Sequence, residues 1–122
     1  VQLKEFSRNE TVRKELFGLY QHACMAGHHK MFVREMDNGS TMCSFPLVLS
    51  NAFNDVKQYA AKKDIEIRQA YENSVIALRD EELSSSCIHA KSLYLRCAVF
   101  PLYPRLTHQQ TAKIVKVLGT LP

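Results

Sequence analysis

The chain has 122 residues, 46% of them hydrophobic and 23% charged, with four glycines and four prolines. That is the make-up of one ordinary globular domain and excludes a disordered, collagenous or coiled-coil chain. Sixteen Lys and Arg against twelve Asp and Glu leave a formal charge of +4, scattered rather than gathered into a run, which argues against nucleic acid as a partner.

Residues 1–10 mix Lys4, Glu5, Arg8 and Glu10 with isolated apolar side chains, unlike a targeting signal, and no segment approaches the roughly 20 apolar residues of a membrane span. Leu3, Phe6, Val12, Leu16, Leu19, Tyr20 and Ala23 recur near helical spacing with polar residues between them. A long amphipathic helix ending at Gly27 is therefore expected. From Met31 the period shortens, and two strand-like runs flank Asp37-Asn38-Gly39-Ser40. Asn-Gly tolerates positive φ and signals a tight turn, so a hairpin is predicted. Pro46 lacks an amide donor, which confines the second strand to Leu47-Val48-Leu49.

Asn51 or Asn54 is placed to cap a helix running through Lys63, with Phe53, Val56, Tyr59 and Ala60 inward. Ile65-Glu66-Ile67-Arg68 alternates as a half-buried strand. Residues 73–86 are polar and read as an exposed loop with a helical turn, followed by a helix to about Leu95 that uses Ile88, Leu93 and Leu95. Residues 98–104 are too rich in proline for a helix and form a last short strand. Thr107-His108-Gln109-Gln110 is a capping box, opening a helix with Ala112, Ile114, Val115, Val117 and Leu118 inward that closes at Gly119. The expected fold class is α+β: one domain over residues 1–122, with a small, mostly antiparallel sheet and about four helices packed mainly on one face.

Self-contained chemistry is sparse. Cys24, Cys43, Cys87 and Cys97 lie far apart and form no C-x-x-C pair, as expected of reduced, mostly buried thiols in a cytoplasm. Neither Cys24 with His28 and His29 nor Cys87 with His89 has the spacing of a zinc finger, so no metal is expected. Residues two apart on a helix point apart, which separates Cys87 from His89 as a catalytic pair. Asp80, Glu81 and Glu82 read as a solvated loop. With glycines only at 18, 27, 39 and 119 there is no phosphate-cradling loop. The chain begins at Val1 without Met and ends on Leu121-Pro122, and reads as a piece of a longer protein.

Residues 100–118, FPLYPRLTHQQTAKIVKVL, resemble the carboxy-terminal LPLYPxLT signature of DegT-like sugar aminotransferases, pyridoxal-phosphate enzymes of fold type I. Residues 56–67, VKQYAAKKDIEI, are similar to that family's helix leading into a strand that begins with GI. The resemblance implies a carboxy-terminal small domain, not competent alone. An absent amino-terminal large domain would carry the Schiff-base lysine and the phosphate cup, in a cytoplasmic homodimer that transfers an amino group to a keto-sugar or related substrate. No lysine here takes the catalytic role, and no pyridoxal phosphate is expected on this chain alone. Where the family has a YPxPLHxQ loop near substrate, this sequence departs with Gln69-Ala70-Tyr71-Glu72-Asn73-Ser74, making Tyr71, Glu72 and Asn73 the substrate-binding candidates. Tyr71, Val75, Ile76 and Leu78 form an apolar island and are the candidates for the face toward the large domain. The alternative is a non-enzymatic α+β interaction module.

Overall fold

Along Phe45–Val48, burial alternates between complete and partial, so Phe45 and Leu47 lie on one side of a strand and Pro46 and Val48 on the other. The computed structural model describes residues 2–27, 29–31, 43–78 and 85–122. In chain order these form α1 (Gln2–Ala26), β1 (Lys30–Met31), β2 (Phe45–Val48), α2 (Phe53–Ala61), β3 (Arg68–Gln69), α3 (Val75–Leu78), α4 (Ile88–Arg96), β4 (Cys97–Phe100) and α5 (His108–Gly119). The strands make one antiparallel sheet in the order β1-β2-β4-β3. Helix exceeds strand, and the class is α+β as expected. No helix among the described residues is long and apolar enough to cross a membrane.

Register assigns each side chain to a face. Phe45 pairs with Phe100 and Leu47 with Ala98, and all four belong to the buried core with Leu16, Phe17, Tyr20 and Cys24 of α1, Val56 of α2 and Ile114, Val117 and Leu118 of α5. No residue of α3 or α4 belongs to that core. The helices that build the domain therefore cover one face of the sheet. Pro46 pairs with Val99, Val48 with Cys97 and Arg68 with Val99, which puts these residues on the opposite face. Leu49 donates its amide to the Arg96 carbonyl at 2.7 Å. Hydrogen bonding alternates along an antiparallel pair, so the donor-less nitrogen of Pro46 faces away from β4, and the proline sits inside β2 rather than ahead of it.

The capping box is present: the Gln110 amide donates to Thr107 Oγ1 at 3.2 Å and the Thr107 amide to Gln110 Oε1 at 2.9 Å. Thr107→Ala is expected to cost about 0.5–2 kcal/mol, read as a lower denaturant midpoint; an unchanged midpoint would show that this cap contributes nothing. Gly27 ends α1 at a close approach. A Cβ there would stand 2.7 Å from the His29 ring and 3.2 Å from the Leu118 carbonyl oxygen, which keeps the start of the following segment tight against α5.

The structure departs from the sequence pattern at several places. Neither Asn51 nor Asn54 caps α2: Ala52 holds the cap position, without a side-chain hydrogen bond, and Asn54 already lies in the first turn. The helix ends at Ala61 because Asp64 adopts φ 61, with the Ile65 amide bonded to the Ala60 carbonyl and the Asp64 amide to that of Ala61. This is a Schellman closure with Asp in the position glycine usually takes. Leu3, Phe6 and Leu19 of α1 are exposed. Leu19 lies to the side of the buried stripe, while Leu3 and Phe6 precede its contact with the body. Ala112 faces outward because it lies across α5 from Ile114 and Leu118. In α4, Ile88 and Leu95 are exposed and no residue is fully buried. Two thiols, Cys24 and Cys97, are buried, whereas Cys43 and Cys87 are exposed. The predicted tight turn at residues 37–40, His28 and the acidic run at 80–82 lie outside the described residues.

Candidate functional site

The face of the sheet turned away from the core carries Pro46, Val48 and Val99, all half-buried, the exposed Arg68 and, where β4 begins, the buried Cys97. Alternation continues upstream of β3: Ile65 and Ile67 are buried while Glu66 and Arg68 face out. Beyond β3 the chain folds back through a turn at residues 71–74. The Ala70 amide donates to the Cys97 carbonyl at 3.0 Å, and the Ser74 amide to the Tyr71 carbonyl at 2.9 Å. Tyr71 is held at φ 61, a left-handed conformation that costs a non-glycine residue about 1–2 kcal/mol. Tyr71 is 54% exposed, and the Ser74–Tyr71 hydrogen bond closes the turn around it.

This turn and the outer sheet face enclose a groove of about 580 Å³, to which Arg68, Tyr71, Glu72, Asn73 and Ser74 all contribute. A second groove, of about 490 Å³, runs on toward Tyr103 over Glu66 and Pro101. The two share Ser44, Arg68 and Val99, making one surface with a guanidinium at its centre. The Ser74 hydroxyl is buried and lacks a hydrogen-bond partner among the described residues.

The three substrate-binding candidates thus stand side by side on one groove wall. Of the interface candidates, Val75 and Leu78 are 58% and 70% exposed and Ile76 is half-buried, all on α3. Sequence alone does not mark Arg68, Ser44, Pro46 or Val99 as part of a site. Arg68 could have been found by following the period-two alternation from Ile65 outward; Ser44, Pro46 and Val99 meet it only through long-range pairing.

Other chemistry does not converge. Cys87 precedes α4 and is exposed, as is His89. Cys24 is buried in the core, and burial pushes its thiol up to about 12. Among the described residues no three His, Cys, Asp or Glu gather as metal ligands.

A model of the DegT/DnrJ/EryC1/StrS aminotransferase family matches residues 1–119. No curated protein matches the sequence. Among solved structures, a protein from Streptococcus pneumoniae described as a sugar aminotransferase, in its PMP form, superposes with a TM-score of 0.80 at 15% identity, over 97% of this chain and 32% of its own. A DegT DnrJ EryC1 StrS aminotransferase from Brucella abortus gives 0.71 at 18% identity, over 96% of this chain and 32% of that one. A protein from Bacillus cereus described as a PLP-dependent aminotransferase gives 0.70 at 15%, over 97% and 34%. The chain spans about a third of the length of these structures.

Proposed function

Because the chain belongs to the DegT/DnrJ/EryC1/StrS aminotransferase family, we propose that it works as the small domain of a pyridoxal-phosphate-dependent aminotransferase that passes an amino group to a keto-sugar or related acceptor. The observation that carries this reading is the open outer face of the sheet, bordered by a turn in which Tyr71 is held left-handed with its ring exposed. Residues held in such a conformation cluster at active sites and ligand clamps.

Pyridoxal phosphate itself does not fit these residues. The cofactor needs an amine to anchor its aldehyde, and among the described residues no lysine lines either groove. An amino-terminal large domain would supply that lysine and the phosphate cup, and this chain alone is not competent. Its own part is to close the cleft: Tyr71, Glu72 and Asn73 contact the acceptor, while Tyr71, Val75, Ile76 and Leu78 meet the large domain. Amide and carboxylate side chains beside an aromatic ring suit the hydroxyls and apolar face of a sugar. The working form is a cytoplasmic homodimer.

In the longer polypeptide encoded by the gene, Asn73→Ala is expected to raise KM for the acceptor about tenfold with little change in kcat, the pattern of lost uniform binding. In the isolated chain the same change should leave the thermal midpoint unaltered, since Asn73 is exposed. An unchanged KM would count against the substrate role of this turn. Complete absence of amino transfer by the longer polypeptide would favour the interaction module.

A further inference from the structure

α4 runs into β4 without a loop, Arg96 being followed directly by Cys97. Ser92, Leu93 and Tyr94 are half-buried and the other residues of α4 are exposed, and Cys87 at its amino-terminal cap makes no side-chain hydrogen bond. A helix of 9 residues with so little burial is marginal in water by itself, so its order rests on the contacts that anchor it. The carbonyls of its last turn, Leu93 to Arg96, have no partner within the helix. The sheet satisfies two of them: the Leu49 amide donates to the Arg96 carbonyl at 2.7 Å, and Gln69 Nε2 donates to the Tyr94 carbonyl at 2.8 Å. Leu49 follows β2 and Gln69 lies in β3, the two neighbours of β4, so the helix end is clamped from both sides.

The same clamp bears on the candidate site. Gln69 pairs with Ala98 of the core, and its side chain therefore points to the helix-covered side while Arg68 beside it points to the grooves. Only Ala70 separates Gln69 from Tyr71, and the Ala70 amide is fixed on the Cys97 carbonyl at 3.0 Å. Past residue 74 the turn continues into α3, which packs on α4 and contributes no residue to the core. α4 in turn packs chiefly on α3 and β3. The turn that carries Tyr71, Glu72 and Asn73 is thus bracketed by β3 on one side and α3 on the other, and the Gln69 side chain joins these two supports through α4. The Leu49 contact is made by backbone and is indifferent to its side chain, whereas the Gln69 contact needs a side-chain donor of that length.

We propose that Gln69 is a positioning residue: by donating to the Tyr94 carbonyl it holds α4, and through α4 the α3 support, so that the turn at residues 71–74 keeps the shape in which it receives the amino acceptor. Its side chain points away from the grooves and acts through α4. The proposal rests on the reading of that turn as an acceptor-binding wall. Loss of the donor leaves the half-buried Tyr94 without a partner for its carbonyl and loosens α3 and α4 together. The core around Phe45 and Leu47, to which neither helix contributes, keeps its packing, as expected of a locally opening unit.

Gln69→Leu keeps the bulk and removes the donor. In the isolated chain, hydrogen exchange over residues 88–95 is expected to quicken about three- to tenfold, with residues 45–48 and 108–119 unchanged. In Gln69→Glu the carboxylate cannot donate, so the same quickening is expected at neutral pH; it should vanish below about pH 4, where the carboxyl group regains an O–H. In the longer polypeptide, Gln69→Leu should raise KM for the acceptor about threefold or more with kcat little changed. No quickening at 88–95, or an equal quickening over the core segments, would overturn the proposal. Quickening by Gln69→Glu that persists in acid would assign the effect to lost packing and likewise overturn it. A KM unchanged by Gln69→Leu but raised by Asn73→Ala would overturn the positioning role and leave the acceptor-binding turn standing, whereas a KM unchanged by either would overturn both.

Discussion

Replacing Phe45 with alanine is expected to destabilise the domain by about 3–5 kcal/mol and to lower its thermal midpoint by about 10–25 °C. Phe45, at the start of β2 on the covered sheet face, is 1% exposed. Its ring meets Phe17 edge-on at 5.2 Å and Tyr20 at 5.4 Å, contacts worth about 0.5–1.5 kcal/mol each beyond area burial. The substitution removes the side chain through which α1 grips β2, and neither α1 nor the sheet can collapse into the gap without disturbing the pairing of Phe45 with Phe100. Native domains hold only about 5–15 kcal/mol in total, so a loss of this size would bring a small domain near unfolding at physiological temperature. Val75→Ala, on the exposed face of α3, should stay within about 0.5 kcal/mol of the unaltered chain. Equal losses at both positions, read by chemical denaturation, would contradict the division of the sheet into a packed and an open face.

Stability should also fall steeply in alkali, and the cause lies in three buried groups, Cys24 and Tyr20 in the same core and Cys97 on the other face of the sheet. Burial pushes the Cys24 thiol up from 9.0 to about 12 and the Tyr20 hydroxyl from 10.0 to about 12. Cys97 rises from 9.0 to about 11, again through burial, although the Leu47 amide nearby works the other way. Each group is neutral when protonated. Above pH 9 the unfolded chain releases these protons while the folded chain keeps them, so the unfolded state binds fewer protons and stability declines as pH rises. The contribution is complete below about pH 9 and is lost as pH passes through 11 and 12. Between pH 9 and 11 the decline should be on the order of a few kcal/mol, measured as the denaturant midpoint against pH. Replacing Cys24 with alanine should flatten the slope; a slope unchanged by that substitution would place the alkaline transition elsewhere.

Elements whose cause is local were readable from sequence. The capping box needs only Thr107 and Gln110; the alternating burial from Ile65 to Arg68 is equally local, but the strand expected over those four residues forms only at Arg68–Gln69, where β4 supplies a partner. Where an outcome depends on a distant partner, sequence periodicity runs out. Leu3 and Phe6 carry helical spacing as good as that of Leu16 and Tyr20, yet the buried residues of α1 all fall between Leu16 and Cys24. Pro46 reads as a strand breaker until the Leu49–Arg96 hydrogen bond shows which way its nitrogen points. Asp64 ends α2 through a left-handed conformation that glycine would have announced and aspartate did not. At the candidate site, Tyr71, Glu72 and Asn73 were reached only through resemblance to a family whose loop motif this chain lacks. Arg68, at the centre of the grooves, became visible once strand register assigned it to the open face.

Cofactor titration tests most directly whether this chain is the small domain of a pyridoxal-phosphate enzyme. The isolated chain, and the chain continued by the sequence encoded upstream in its reading frame, would each be titrated with pyridoxal phosphate and followed by the visible absorbance of the bound cofactor. A lysine supplied by another domain predicts no saturation by the isolated chain at low micromolar cofactor, and uptake of one cofactor per chain by the longer polypeptide. Stoichiometric saturation of the isolated chain, or none by the longer polypeptide, would contradict it.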